Sequence, residues 1–168
     1  MTPIQSRPPE VEARLVFGHW EGDLVVGKRG GSHIGTLVER ASRYLVILHL
    51  PDGAGTDSVI AALTAAVHQL PPSLRRSVTW DRGIEMTRHL SFTAATQMPV
   101  FFCDAYSPWQ RGLNENSNGL VRQYLPKGTD LSLHTAADLN AIAEEINHRP
   151  RRILGWQTPH EVLAETLR

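Results

Sequence analysis

Three strand-length apolar stretches in the first third of the chain, joined by links of only a few residues, limit its fold more than any other feature. They run from His19 to Lys28, from Ile34 to Glu39 and from Tyr44 to Leu50. The turn Lys28-Arg29-Gly30-Gly31 and the polar link Arg40 to Arg43 separate them. Links this short join antiparallel neighbours, because parallel strands need a crossover of a dozen or more residues. The period then changes. Pro51-Asp52-Gly53 turns the chain into a helix with Thr56 or Asp57 as its cap and Val59, Ile60, Leu63, Val67 and Leu70 along one face. Pro71-Pro72 ends it. Ser77 to Trp80 reads as a short buried strand, about Glu85 to Gln97 as a helix, and Val100 to Cys103 as another strand. Helices are predicted from Pro108 to about Tyr124, from Thr135 to Asn147, and from Thr158-Pro159 onward. A meander followed by helix–strand alternation gives an α/β domain. The pattern predicts five strands, three of them antiparallel and first, with helices flanking the sheet. Residues 1–16, rich in Pro, Arg and Glu without a period, read as an extended lead-in to a domain spanning 17–168.

A chain of 168 residues with 41% hydrophobic and 20% charged residues can bury a core of its own. Its longest apolar runs are strand-length, too short to cross a bilayer, and no membrane role is expected. The N-terminus does not combine basic residues with an apolar stretch, so no secretory signal is read there. The single cysteine, Cys103, sits in Val100-Phe101-Phe102-Cys103 as a buried thiol and fits a reducing cytoplasm.

Three carboxylates stand where ordinary packing gives little reason for them. Asp23 lies inside the apolar strand Asp23-Leu24-Val25-Val26, although an unpaired buried charge is unfavourable. Asp81 follows Val78-Thr79-Trp80, at the C-terminal lip of a strand, where open α/β sheets place ligand sites. Glu115 lies in the polar stretch Arg111 to Asn118 on a helix. Taken singly, Asp81 before Arg82-Gly83 is a turn residue and Glu115 a solvated helix charge. Taken together, two aspartates on neighbouring strands and a helical glutamate can converge on one pocket. Such acids repel unless cations lie between them, and oxygen-only ligands favour Mg²⁺ or Mn²⁺.

In their surroundings the acids resemble the DDE catalytic core of transposases and retroviral integrases, and more narrowly the insertion-sequence-thirty family of bacterial transposases. The matching segments include His19-Trp20-Glu21-Gly22-Asp23-Leu24, Thr36-Leu37-Val38-Glu39-Arg40 and Thr79-Trp80-Asp81-Arg82-Gly83-Ile84-Glu85-Met86. Ser107-Pro108-Trp109-Gln110-Arg111-Gly112, Asn114-Glu115-Asn116, Arg122-Gln123-Tyr124, Asn147-His148-Arg149-Pro150 and Gly155-Trp156-Gln157-Thr158-Pro159 continue the series in order. It covers roughly residues 8–165, with 33 residues between Asp81 and Glu115. Arg82 departs from the pattern, standing where relatives often carry an uncharged amide. The N-terminal helix-turn-helix region of a whole transposase is not in this sequence, so an isolated core or truncated element is expected.

The resemblance implies an RNase H-like fold and a metal-dependent cleavage and joining of DNA strands in transposition. It implies Asp23, Asp81 and Glu115 as catalytic residues holding two Mg²⁺ or Mn²⁺ ions, with element ends and target DNA as partners in a homodimer or larger synaptic complex. A nucleoid-associated, cytoplasmic protein follows. The alternatives are an RNase H-like nuclease that only hydrolyses, and a catalytically silent remnant that binds DNA or a partner. Arg122, two helical turns after Glu115, is a candidate phosphate contact, with Arg111 and Lys127 extending it. Glu21, on the strand face of Asp23, either tunes the site or pairs with an arginine. Glu85 and His89 share a predicted helix face near Asp81, and Asp104 is the reserve acid. Trp109 is expected to pack in the core beneath its helix. The chain carries 17 basic and 17 acidic residues, whereas a domain binding DNA unaided is usually basic. Metal ions at the carboxylates or a separate DNA-binding domain would reconcile the two.

Overall fold

The computed structural model describes residues 1–104 and 107–167, with Pro108 and Arg111 described in their backbone alone. The meander is present. Strand β2 (His19–Val26) pairs antiparallel with β3 (His33–Glu39), which pairs antiparallel with β4 (Leu45–His49). Strands β5 (Ser77–Trp80) and β6 (Val100–Phe102) join in parallel on the other side of β2. A sixth strand corrects the predicted count of five. Residues Thr2–Pro3 form β1, parallel to β6, giving the order β1-β6-β5-β2-β3-β4. The predicted lead-in also contains a short helix, α1 (Pro9–Ala13). Two residues of strand and one turn of helix are too short to leave a periodic signal.

Helix α2 (Thr56–His68) spans the predicted segment, but neither Thr56 nor Asp57 caps it. The N-cap position is Gly55, and those two side chains instead bind Arg88, through its backbone N–H and its guanidinium. The predicted helix from Glu85 is divided into a one-turn 3₁₀ segment at Ile84–Met86 and α3 (His89–Thr96). Helices α4 (Gly112–Tyr124), α5 (Ala136–Asn147) and α6 (Pro159–Thr166) lie close to prediction. Thr135 and Thr158 each form a capping box with the acid three residues on, satisfying two end donors reciprocally. Among the described residues no helix is long and apolar enough to cross a membrane.

Strand alternation divides the core into two layers. Trp20, Leu37 and Trp80 face α2 and α3 with Leu63, Val67, Met86, Phe92 and Phe102. Val25, Ile34, Val38 and Leu45 face α4 and α5 with Val121, Leu139 and Ile146. Gly22 lets Trp80 lie against the sheet, since a Cβ there would fall 2.0 Å from the indole ring. Asn147 docks α5 on β4 by accepting from Leu45 N–H at 2.8 Å and donating to Leu45 C=O at 2.9 Å. Both backbone groups are buried, so Asn147→Ala is expected to lower stability by about 2–4 kcal/mol, read as a shifted denaturant midpoint.

Candidate active site

Sheet register brings the two aspartates together. In the parallel pair β2–β5, His19 lies opposite Ser77 and Glu21 opposite Thr79, a spacing that sets Asp23 level with Asp81 just past the end of β5. On the other side of β2, Asp23 faces Thr36 of β3. Asp23 shares the face of Glu21 and Val25, the face covered by α4.

Two asparagines seat α4 on that face. Asn118 donates to Asp23 Oδ2 at 3.1 Å and accepts from Thr36 Oγ1 at 2.9 Å. Asn114, fully buried, donates to the Glu21 carbonyl at 3.2 Å and to Thr36 Oγ1 at 3.4 Å. Glu115 sits between them in sequence and three residues before Asn118, so the two share one helix flank. No role could be read for Asn114 and Asn118 from the sequence. The available signal is a pair of amides four residues apart on the helix that carries the third acid.

Backbone bonds fix the aspartates further. Asp23 Oδ1 accepts from Leu24 N–H at 2.9 Å, and Asp81 Oδ1 accepts from Gly83 N–H at 3.0 Å. Both aspartates are half-buried, while Glu115 is exposed. Among the described residues no three His, Cys, Asp or Glu side chains gather closely enough to hold a metal ion. The sheet thus levels two acids and α4 carries the third nearby without closing the set. Carboxylates held close together repel unless a cation or a shared proton lies between them. The donors themselves suit a hard divalent cation, being oxygen atoms alone.

The supporting residues divide. Glu21 is completely buried and paired with Arg40, itself only 3% exposed. Burial pushes its carboxyl above the usual glutamate range, opposed by the positive charges of Arg40, Arg14 and Arg7. Of the two roles considered for Glu21, the arginine pairing is the one observed. Glu85 and His89 do not share a helix face, because the chain leaves the 3₁₀ turn before α3 begins. Glu85 accepts from Trp80 Nε1 at 3.0 Å. His89 places Nδ1 3.1 Å from the Met86 carbonyl and packs edge-on against Phe102. Asp104 Oδ2 accepts from Gln5 at 2.6 Å and Gln110 at 3.0 Å.

Of the phosphate candidates, Arg122 donates to the Val26 carbonyl at 2.9 Å and the Leu125 carbonyl at 3.4 Å, bracing the end of β2. Lys127 is exposed. The Arg111 side chain lies outside the described residues. Trp109 corrects the expectation of core packing, being 73% exposed and lining a polar cleft with Arg7, Arg14 and Arg40. Its one-turn 3₁₀ helix is anchored by Gln110, whose Oε1 accepts from Asp104 N–H at 2.8 Å, so no apolar contact from Trp109 is needed.

Comparison with known proteins accords with the motif series. The Integrase core domain model matches residues 13–108. The transposase for insertion sequence element IS1086 of Cupriavidus metallidurans is 50% identical over 167 residues, covering 99% of this chain and 49% of that protein. The transposase for IS30C of Escherichia coli strain K12 is 52% identical over 162 residues, covering 96% of this chain and 42% of that protein. The chain thus spans about half or less of these relatives' length. The crystal structure of the catalytic core domain of BIV integrase superposes with a TM-score of 0.66 over 89% of this chain and 95% of that one. At 17% identity this likeness establishes the fold: the mixed sheet flanked by helices is that of an integrase catalytic core, with one short strand beyond the predicted five.

Proposed function

Because the chain belongs to the integrase core domain family, we propose that it is the catalytic core of a DDE transposase, cleaving DNA at the ends of a mobile element and joining the freed 3′-hydroxyl to target DNA. Asp23, Asp81 and Glu115 are the residues assigned to the chemistry. The observation that carries this reading is the level placement of Asp23 on β2 and Asp81 just past the end of the adjacent parallel strand β5, with Asn118 holding α4 against Asp23. Three carboxylates offer hard oxygen donors for Mg²⁺ or Mn²⁺. Bound there, two divalent ions supply activation of the attacking hydroxyl and charge stabilisation at the leaving oxygen.

The chain's own contribution is positioning. Leu24 N–H and Asn118 hold the Asp23 carboxylate at two oxygens, which fixes its rotamer before substrate arrives. Gly83 N–H does the same for one oxygen of Asp81. Glu115, exposed on α4, is the acid with freedom to swing toward the pair when a cation draws it in. Lys127 and Arg111 remain the proposed contacts to the DNA backbone, with Arg122 displaced toward a bracing role by its carbonyl bonds. DNA ends and target are the partners, in an assembly of two or more copies.

The joining step separates this reading from simple hydrolysis. With pre-cut element ends bearing a free 3′-hydroxyl and Mn²⁺, the protein is expected to give products joined to target DNA. Shortened strands without joined products mean a nuclease. Absence of any metal-dependent product means a silent remnant.

A further inference from the structure

The flank of α4 away from Glu115 borders a separate cleft of about 420 Å³. The turn between β3 and β4 and the segment after α5 close it. At 3.6 residues per turn, Glu115, Asn118 and Arg122 share one flank of α4, while Leu113, Asn116 and Leu120 share the other. Arg43 and Arg151 line the cleft together with Asn116 and Ser117, and Leu113, Leu120 and Ile153 supply its apolar lining.

Neither guanidinium has an acid partner among the described residues. Glu39, four residues before Arg43, commits its carboxylate to the backbone N–H groups of Ala41 and Ser42 at 3.0 and 2.8 Å. Nε and Nη2 of Arg151 are buried without a hydrogen-bond partner. Arg43 holds a left-handed backbone, φ +63°, a conformation that glycine or asparagine adopts more readily. Burial lowers the pKa of both arginines; Arg14, Arg151 and Arg40 lower that of Arg43 further against the smaller opposing charge of Glu39, and Arg149 lowers that of Arg151. Desolvated cations without a counter-anion are unfavourable. A guanidinium fork matches the paired oxygens of a phosphate, and neighbouring hydroxyl and amide donors complete such a site.

We infer that this cleft binds a phosphodiester phosphate of DNA between Arg43 and Arg151, with Asn116 and Ser117 as neutral donors, and fastens the duplex on the side of α4 away from the acids. The inference rests on the chain's proposed action on DNA. It places the contact outside the chemistry, so its loss reads in binding rather than in turnover.

Fluorescence anisotropy of a labelled duplex, in EDTA to keep the DNA intact, tests it on the whole chain with Arg43→Gln, Arg151→Gln and both together. The double variant is expected to bind about ten-fold more weakly at moderate salt and to lose about 2 from the slope of log affinity against log salt. At saturating DNA in Mg²⁺, turnover of the single variants stays at the wild-type level while the half-saturating DNA concentration rises. Arg43→Gln, in the half-buried turn between β3 and β4, carries the test if Arg151→Gln does not fold, and Arg43→Lys should keep part of the slope. Unchanged affinity and slope in folded variants would overturn the site, as would failure of the wild type to bind duplex at low salt. Millimolar inorganic phosphate that raises the wild-type Tm alone, with DNA affinity untouched by the variants, would assign the cleft to a free anion and also overturn it. Loss of self-association with DNA affinity intact would assign it to a protein interface, again against the inference. If the wild type binds as described yet never cleaves, the phosphate site stands and the catalytic reading falls.

Discussion

Alanine at Asp81 is expected to lower Mg²⁺-dependent DNA cleavage by about a hundred- to a thousand-fold, the scale on which removing one preorganised electrostatic contact to a transition state acts. The same change should move folding stability by no more than about 1 kcal/mol, because Asp81 is half-buried and lies past the end of β5. Asp23→Ala should match it in activity but perturb the apo protein more, since it removes one of the two bonds by which Asn118 ties α4 to the sheet, leaving the one from Thr36. Glu115→Ala should disturb the fold least, the side chain being exposed. A uniform loss of activity across three residues with three different structural burdens is the signature of a shared ligand role. A loss that tracked stability instead would point to packing.

Arg40→Ala is expected to destabilise the protein by about 3–5 kcal/mol at neutral pH, because it leaves the Glu21 carboxylate buried without its cation. The sign of the pH dependence follows from the direction of the Glu21 shift. Its folded pKa is raised, mainly by burial, so the native state binds its proton more tightly than the unfolded chain does. That contribution is fully present below the unfolded value and is lost as pH rises through the folded one. Removing Arg40 takes away the largest opposing influence and raises the folded value further. The deficit of Arg40→Ala should therefore shrink toward acid pH and grow through neutrality, as urea unfolding at about pH 4 and pH 7 would record. Part of it persists in acid, since Arg40 Nε also donates to the Val11 carbonyl at 3.0 Å. Adding Glu21→Gln to Arg40→Ala should recover much of the neutral-pH loss. A deficit independent of pH, unrelieved by Glu21→Gln, would mean that the carboxylate is not the source.

The elements legible in the sequence are those whose period repeats. Strands β2 to β6 alternate or run apolar between turns, and the capping boxes at Thr135 and Thr158 mark two helix starts. Thr2–Pro3 was not legible, because two residues borrow their strand geometry from β6. The break between Ile84–Met86 and α3 was hidden for a related reason: Glu85 is drawn inward by the Trp80 indole, a tertiary bond that no local pattern announces. Asp23 and Asp81 stood out as acids against apolar strands, and register then aligned them. Asn118 did not stand out, since a helical asparagine reads as a surface residue until its partners, Asp23 and Thr36, come from distant strands. Trp109 failed in the opposite direction. A tryptophan at a helix start reads as core packing, but the residues before α4 are held by Gln110 and the indole is left outside.

The catalytic assignment requires Asp23, Asp81 and Glu115 to act as one metal site. The most direct measurement is a crystal structure of this protein soaked in Mn²⁺, with the ions located by anomalous scattering. Two Mn²⁺ ions are expected, bound by carboxylate oxygens of these three residues, with Glu115 drawn in toward the sheet. Manganese bound elsewhere, or held without Asp81 and Glu115, would contradict that assignment.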